Sequence, residues 1–246
     1  MKTLKKNEQD CSCKNHIQEG TTNEKRSERL SKALNAFFEK RSQQKLTCEQ
    51  LTLRDFIDLK KACSDINNIV TLKVTLKFVS FLKARNLIDT KQMSDIEGLI
   101  EEKSPNSNGY DVEFVKGTKK IVAEVKCNIP VKGTRFGAAQ KKEIYKDVIN
   151  LWAGKTKSGL TDKELKEFYK FLVLLKTDSI SEAVEQLLRE VNDVGIGKKS
   201  PSKSMSSQMG GKTAAKLKGI NGTLLDENTL NTFNTGTIYV VIIDVD

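Results

Sequence analysis

Two acids and a lysine, Asp111, Glu124 and Lys126, sit in a stretch that reads as strand, turn and strand. If Gly117-Thr118 is a two-residue loop, glycine at its first position suits a type II′ turn. Counting pairs outward from that loop places Asp111 opposite Glu124, with Cβ atoms about 4.5–5.5 Å apart. Alternation sends Val112, Phe114, Ile121, Ala123, Val125 and Cys127 to one apolar face. Asp111, Glu113, Glu124 and Lys126 share the other. Two facing carboxylates repel unless positive charge lies between them. A hard divalent cation supplies it: magnesium accepts one or two carboxylates, several waters and a phosphate oxygen. An ammonium at Lys126 can stabilise charge developing on phosphorus, or orient and deprotonate an attacking water. The plainer reading is a solvated hairpin with ordinary cross-strand ion pairs, in which Glu113 is simply exposed.

These residues need elements to hold them. Residues 1–23 are polar and without periodicity, and read as a flexible arm. Cys11, Cys13 and His16 lie in it, too few and too alone for a zinc site. Residues 24–90 read as a helical N-terminal region. Leu30, Leu34, Phe37 and Phe38 form one apolar stripe; Leu53, Phe56, Ile57 and Leu59 suggest a second helix. Leu72, Leu76, Val79 and Leu82 suggest a third, with Lys73, Lys77 and Lys83 around it. Residues 91–246 read as a second, catalytic domain. A short helix is expected over 94–102, then turn formers from Ser104 to Gly109, then the hairpin. Residues 136–152 read as a helix with Ile144, Val148 and Leu151 on one face and Gly154 as its stop. Thr161 with Glu164, and Ser179 with Glu182, form capping-box patterns. The runs 171–175 and 238–243 read as buried strands. Residues 195–222 carry lysines, serines and glycines without an acid, and read as a flexible basic loop. Gly210-Gly211-Lys212-Thr213 resembles the end of a P-loop, but Ser206 replaces the required glycine and no apolar strand leads in, so nucleotide binding is rejected.

Asp, then Glu-x-Lys on the neighbouring strand, resembles the signature of the PD-(D/E)xK nuclease superfamily at Asp111, Glu124, Val125 and Lys126. Helix, hairpin, helix and buried strand in that order are similar to the family's αβββαβ core, over roughly Ser94 to Leu175. Tyr110 stands where the family often has proline. The resemblance implies an α/β (α+β) fold: a restriction-endonuclease-like mixed central sheet flanked by helices, with a helical N-terminal region. It implies that Asp111 and Glu124 hold Mg2+, that the backbone carbonyl of Val125 is a further ligand, and that Lys126 is the catalytic lysine. Glu97 is the best-placed acid on the preceding helix and Gln140 the polar residue on the following one.

The chain has 246 residues and a formal charge of +10. That balance suits a polyanion, whose counterions are released on binding. Lys132, Arg135, Lys141 and Lys142 could join the loop residues Lys198, Lys199, Lys203 and Lys212 in a track for phosphates. No run reaches the roughly 20 apolar residues of a membrane span. The N-terminus lacks the apolar core of a secretory signal, and five irregularly spaced cysteines suit a reduced, cytoplasmic setting. Together these features predict a magnesium-dependent type II restriction endonuclease. It would act on double-stranded DNA as a homodimer, beside a separately encoded DNA methyltransferase. The rivals are a repair, junction or transposition nuclease, and a non-catalytic DNA-binding protein.

Overall fold

The computed structural model describes residues 32, 35, 52–102, 109–131, 134–155, 158–178, 180–195, 220–225 and 233–245. The arm, the stripe from Leu30 to Phe38 and most of the basic loop therefore lie outside the described residues. The chain divides into two compact units, Met1–Ala62 and Cys63–Asp246. In the first, Thr52 and Asp55 cap each other at the start of a helix. The Thr52 hydroxyl accepts from the Asp55 N–H at 3.2 Å, and the Asp55 carboxylate accepts from the Thr52 N–H at 2.7 Å.

That helix, α1 (Leu53–Ala84), is one element where the sequence suggests two. No glycine or proline interrupts it, so nothing breaks the ladder. Its part from Cys63 onward belongs to the second unit. There Val74, Phe78, Val79 and Leu82 are buried, while Leu72 is exposed, so the core stripe is rotated from the expected one. Lys73, Lys77 and Lys83 are all exposed. α2 (Thr90–Glu102) begins four residues earlier than expected. Asp89 and Gln92 explain the start: each side chain takes the other's backbone N–H, at 2.8 and 2.9 Å.

The hairpin follows as β1 (Val112–Lys116) and β2 (Lys119–Lys126), antiparallel, with Val112 opposite Ala123 and Lys116 opposite Lys119. Gly117 has φ +60, as a primed turn requires. The register is the expected one. α3 (Ala138–Ala153), a short α4 (Asp162–Leu165), β3 (Tyr169–Leu175), α5 (Ile180–Gly195), β4 (Gly222–Leu225) and β5 (Ile238–Ile243) complete the unit. Thr161 and Glu164 cap α4 reciprocally, as expected; Ser179 lies outside the described residues.

The five strands make one mixed sheet in the order β1-β2-β3-β5-β4, parallel except for the hairpin. β4 departs from the sequence reading, which carries the basic loop through Gly222. Only four residues long, it is too short for a periodicity signal. Among the described residues two strands lie between α2 and α3, where the αβββαβ order has three.

Helices cover both faces. On one, Val122, Leu172, Leu174, Ile238 and Val240 pack with α3 and α5 through Ile144, Val148, Leu151, Val184 and Leu187. On the other, Val112, Phe114, Ile121, Ala123, Val125, Phe171 and Tyr239 pack with α1 and α2 through Phe78, Val79, Leu82 and Ile96. The apolar face assigned to the hairpin is thus the α1–α2 face. Its polar face is covered by α3 around Glu124, while Glu113 on the same face stays exposed.

Candidate metal centre

β2 carries Glu124 and Lys126 on the α3 side of the sheet, alternating with Val125, whose side chain joins the opposite core. One step beyond the Val112–Ala123 pair, Asp111 falls opposite Glu124. Asp111 does not stand free: its Oδ2 accepts from the Val125 N–H at 2.7 Å, which ties the start of β1 to β2. Glu124 is only 3% exposed, so a carboxyl group sits here beneath a helix.

Two further residues meet these acids, and the sequence reading missed both. Asp147 of α3 is 5% exposed, and its Oδ2 lies 2.9 Å from Lys126 Nζ. Lys155, just beyond α3, places its Nζ 2.5 Å from Glu124 Oε1. The same ammonium donates to the Gly109 carbonyl at 2.5 Å and lies 5.1 Å from the centre of the Tyr110 ring. The Tyr110 hydroxyl donates to the Asn150 carbonyl at 2.7 Å, pinning the segment before Asp111 to the end of α3. Tyr110 is therefore a buried anchor for the segment before Asp111. Gly154 directs Lys155 back into the site. Its φ of +90 ends α3, and its N–H closes on the Asn150 carbonyl at 2.9 Å.

A signal for Asp147 was present in the sequence. With Ile144, Val148 and Leu151 it completes an i, i+3, i+4, i+7 pattern, so an acid occupies the core-facing stripe of α3. Lys155 carries no such signal, because it follows a glycine that reverses the chain.

The electrostatics are uneven. Burial pushes the Glu124 carboxyl up to about 8, Asp111 adds to the rise, and Lys155 offsets only part of it. Burial also raises Asp147, against the opposing pull of Lys126. Burial disfavours the charge on Lys126, but Asp147 beside it, together with Glu124 and Asp111, more than compensates and its pKa ends above the usual lysine value. Burial lifts the Tyr110 hydroxyl to about 12. Glu124 Oε1 and Asp147 Oδ2 are enclosed without a hydrogen bond of good geometry, although a lysine nitrogen lies close to each. The cluster holds the acids Asp111, Glu124 and Asp147 against the lysines Lys126 and Lys155.

The other sequence candidates lie apart from this cluster or beyond view. Glu97 is half-buried on α2, and the residues of that helix lining a small cavity of about 190 Å³ beside Asp111 are Ile96, Leu99 and Ile100. Gln140 accepts from the Gly137 N–H and donates to the Ile129 carbonyl, both at 2.8 Å, so it secures the β2–α3 connection. Glu113 is exposed. Of the basic residues, Arg135 and Lys142 are exposed, while Lys141 is bound to Glu190 of α5 at 2.7 Å. Lys132, Lys198, Lys199, Lys203 and Lys212 lie outside the described residues, as do Cys11, Cys13 and His16. No trio of His, Cys, Asp or Glu forms a metal-holding group among the described residues. No helix among them is long and apolar enough to cross a membrane. No family model matches the chain, and no curated protein or solved structure matches it significantly.

Proposed function

We propose that this chain is a magnesium-dependent endonuclease that hydrolyses DNA phosphodiester bonds, as a type II restriction enzyme of the PD-(D/E)xK kind. The observation that carries the reading is the buried Glu124 carboxyl facing Asp111 with Lys126 on the same side of β2. The donor set fits a hard divalent cation. It offers oxygen ligands, more acid than lysine, and enclosed carboxyl oxygens that lack a well-aligned hydrogen bond. Magnesium calls for only one or two carboxylates, so a trio of acids is not required. Asp111 and Glu124 would hold the ion, with the Val125 carbonyl as a further ligand. When bound, the ion supplies Lewis-acid stabilisation of the phosphoryl oxygens.

The chain's own groups do the rest. Asp147 keeps Lys126 in its ammonium form, which favours charge stabilisation at phosphorus over proton abstraction from water. The Tyr110–Asn150 hydrogen bond fixes the segment that delivers Asp111. The positive balance of the chain favours a polyanionic substrate.

Purified protein should linearise plasmid DNA with magnesium and leave it intact in EDTA. Asp111→Ala and Lys126→Ala should each lower cleavage by about 100-fold or more. Undiminished cutting by either variant would show that the chemistry lies elsewhere. Discrete, reproducible fragments from mapped DNA would mark a sequence-specific restriction enzyme. Cleavage confined to branched or damaged DNA would move the same chemistry to a repair or junction nuclease.

A further inference from the structure

Lys155 belongs to neither strand of the hairpin, yet it reaches the most enclosed acid of the centre. Its ammonium lies 2.5 Å from Glu124 Oε1 and is held by the Gly109 carbonyl and the Tyr110 ring. Its side chain is 21% exposed, so water reaches it from one side. An ammonium 2.5 Å from this oxygen competes with a divalent cation coordinated to it at about 2.0–2.1 Å, since the two positive centres would repel each other across one atom. The contact also lacks good hydrogen-bond geometry, so it is a charge contact that can be exchanged for another cation.

We propose that Lys155 is a placeholder cation: it sits against Glu124 Oε1 in the ion-free centre and leaves that oxygen when a divalent ion binds. Resting on the metal-site reading above, the inference adds a determinant of ion affinity contributed from beyond α3. Lys126 is not equivalent, because Asp147 engages its Nζ at 2.9 Å. The placeholder lowers the cost of enclosing an acid before the ion arrives, and it weakens ion binding by competing for the same oxygen.

The test is calorimetric titration of the full chain with MnCl2 and with CaCl2, comparing wild type, Lys155→Met and, as a control for net charge, Lys60→Met at an exposed position of α1. Lys155→Met should bind the ions about tenfold more tightly than wild type, and Lys60→Met should match wild type. Unfolding curves for each protein would verify that the variants are folded. In wild type, acetic anhydride labelling read by mass spectrometry should increase at Lys155 when Ca2+ is added and stay constant at the buried Lys170. Equal ion affinity in wild type and Lys155→Met, or no rise in Lys155 labelling, overturns the placeholder and leaves the metal site standing. Absence of ion binding in every protein overturns both. A shift in affinity without DNA cleavage supports the placeholder and sinks the nuclease reading alone.

Discussion

Glu124 shows how one buried acid makes a site pH-sensitive. Enclosure under α3 and the nearby Asp111 raise its pKa from the ordinary 4.5 to about 8. The folded chain therefore holds this proton more tightly than the unfolded chain does. Its contribution to stability is fully present below about pH 4.5 and is lost as the pH rises through about 8. Glu124→Gln cannot lose that proton. In EDTA, the stability of Glu124→Gln relative to wild type should grow between those two pH values and level off above them, as read from urea midpoints. A difference that stays flat across the interval would contradict a raised Glu124.

At the scale of the element, the centre depends on the end of α3 as much as on the hairpin. Gly154 stops the helix at φ +90, a conformation that L side chains rarely adopt. A Cβ there would also lie 2.7 Å from the Leu160 carbonyl oxygen, so the backbone would have to shift. Gly154→Ala should destabilise the fold by about 1–3 kcal/mol in denaturant unfolding. It should also move Lys155 away from Glu124, visible as increased Lys155 labelling without any added ion. Wild-type stability in Gly154→Ala would mean that the turn adapts freely and does not position Lys155.

Across the sheet-bearing unit, the two cores divide the work. The α3–α5 face encloses the polar centre, while the α1–α2 face is an apolar core. Phe171 of β3 anchors the second core, with ring centres 5.2 Å from Phe78, 5.8 Å from Tyr239 and 6.0 Å from Phe233. It is fully buried, so Phe171→Ala would remove contacts to α1, β5 and the segment before β5 together. The expected loss is about 3–5 kcal/mol, measured by urea unfolding. A loss below about 1 kcal/mol would show that the aromatic cluster repacks around the gap.

Local pattern carried much of this. Alternation around Gly117-Thr118 determined the hairpin and its register, because a one-residue slip would turn every apolar side chain of β2 to the wrong face. The apolar run at 238–243 and the Thr161–Glu164 cap were equally legible, since their signals lie within a few residues. The continuity of α1 and the Asp89–Gln92 cap also had local signals, a lack of breakers and a spacing of three, yet the sequence reading expected two helices and a later start. Tertiary structure alone decided the surroundings of the centre. Burial of Glu124 depends on α3 crossing β2, and the Lys155 contact joins residues far apart in the chain through a reversal at Gly154. β4 likewise exists through its pairing with β5, a four-residue edge with no periodicity of its own. The sequence thus determined which acids face each other across the turn. Packing decided how far water is kept from them, and with it how strongly they call for positive charge.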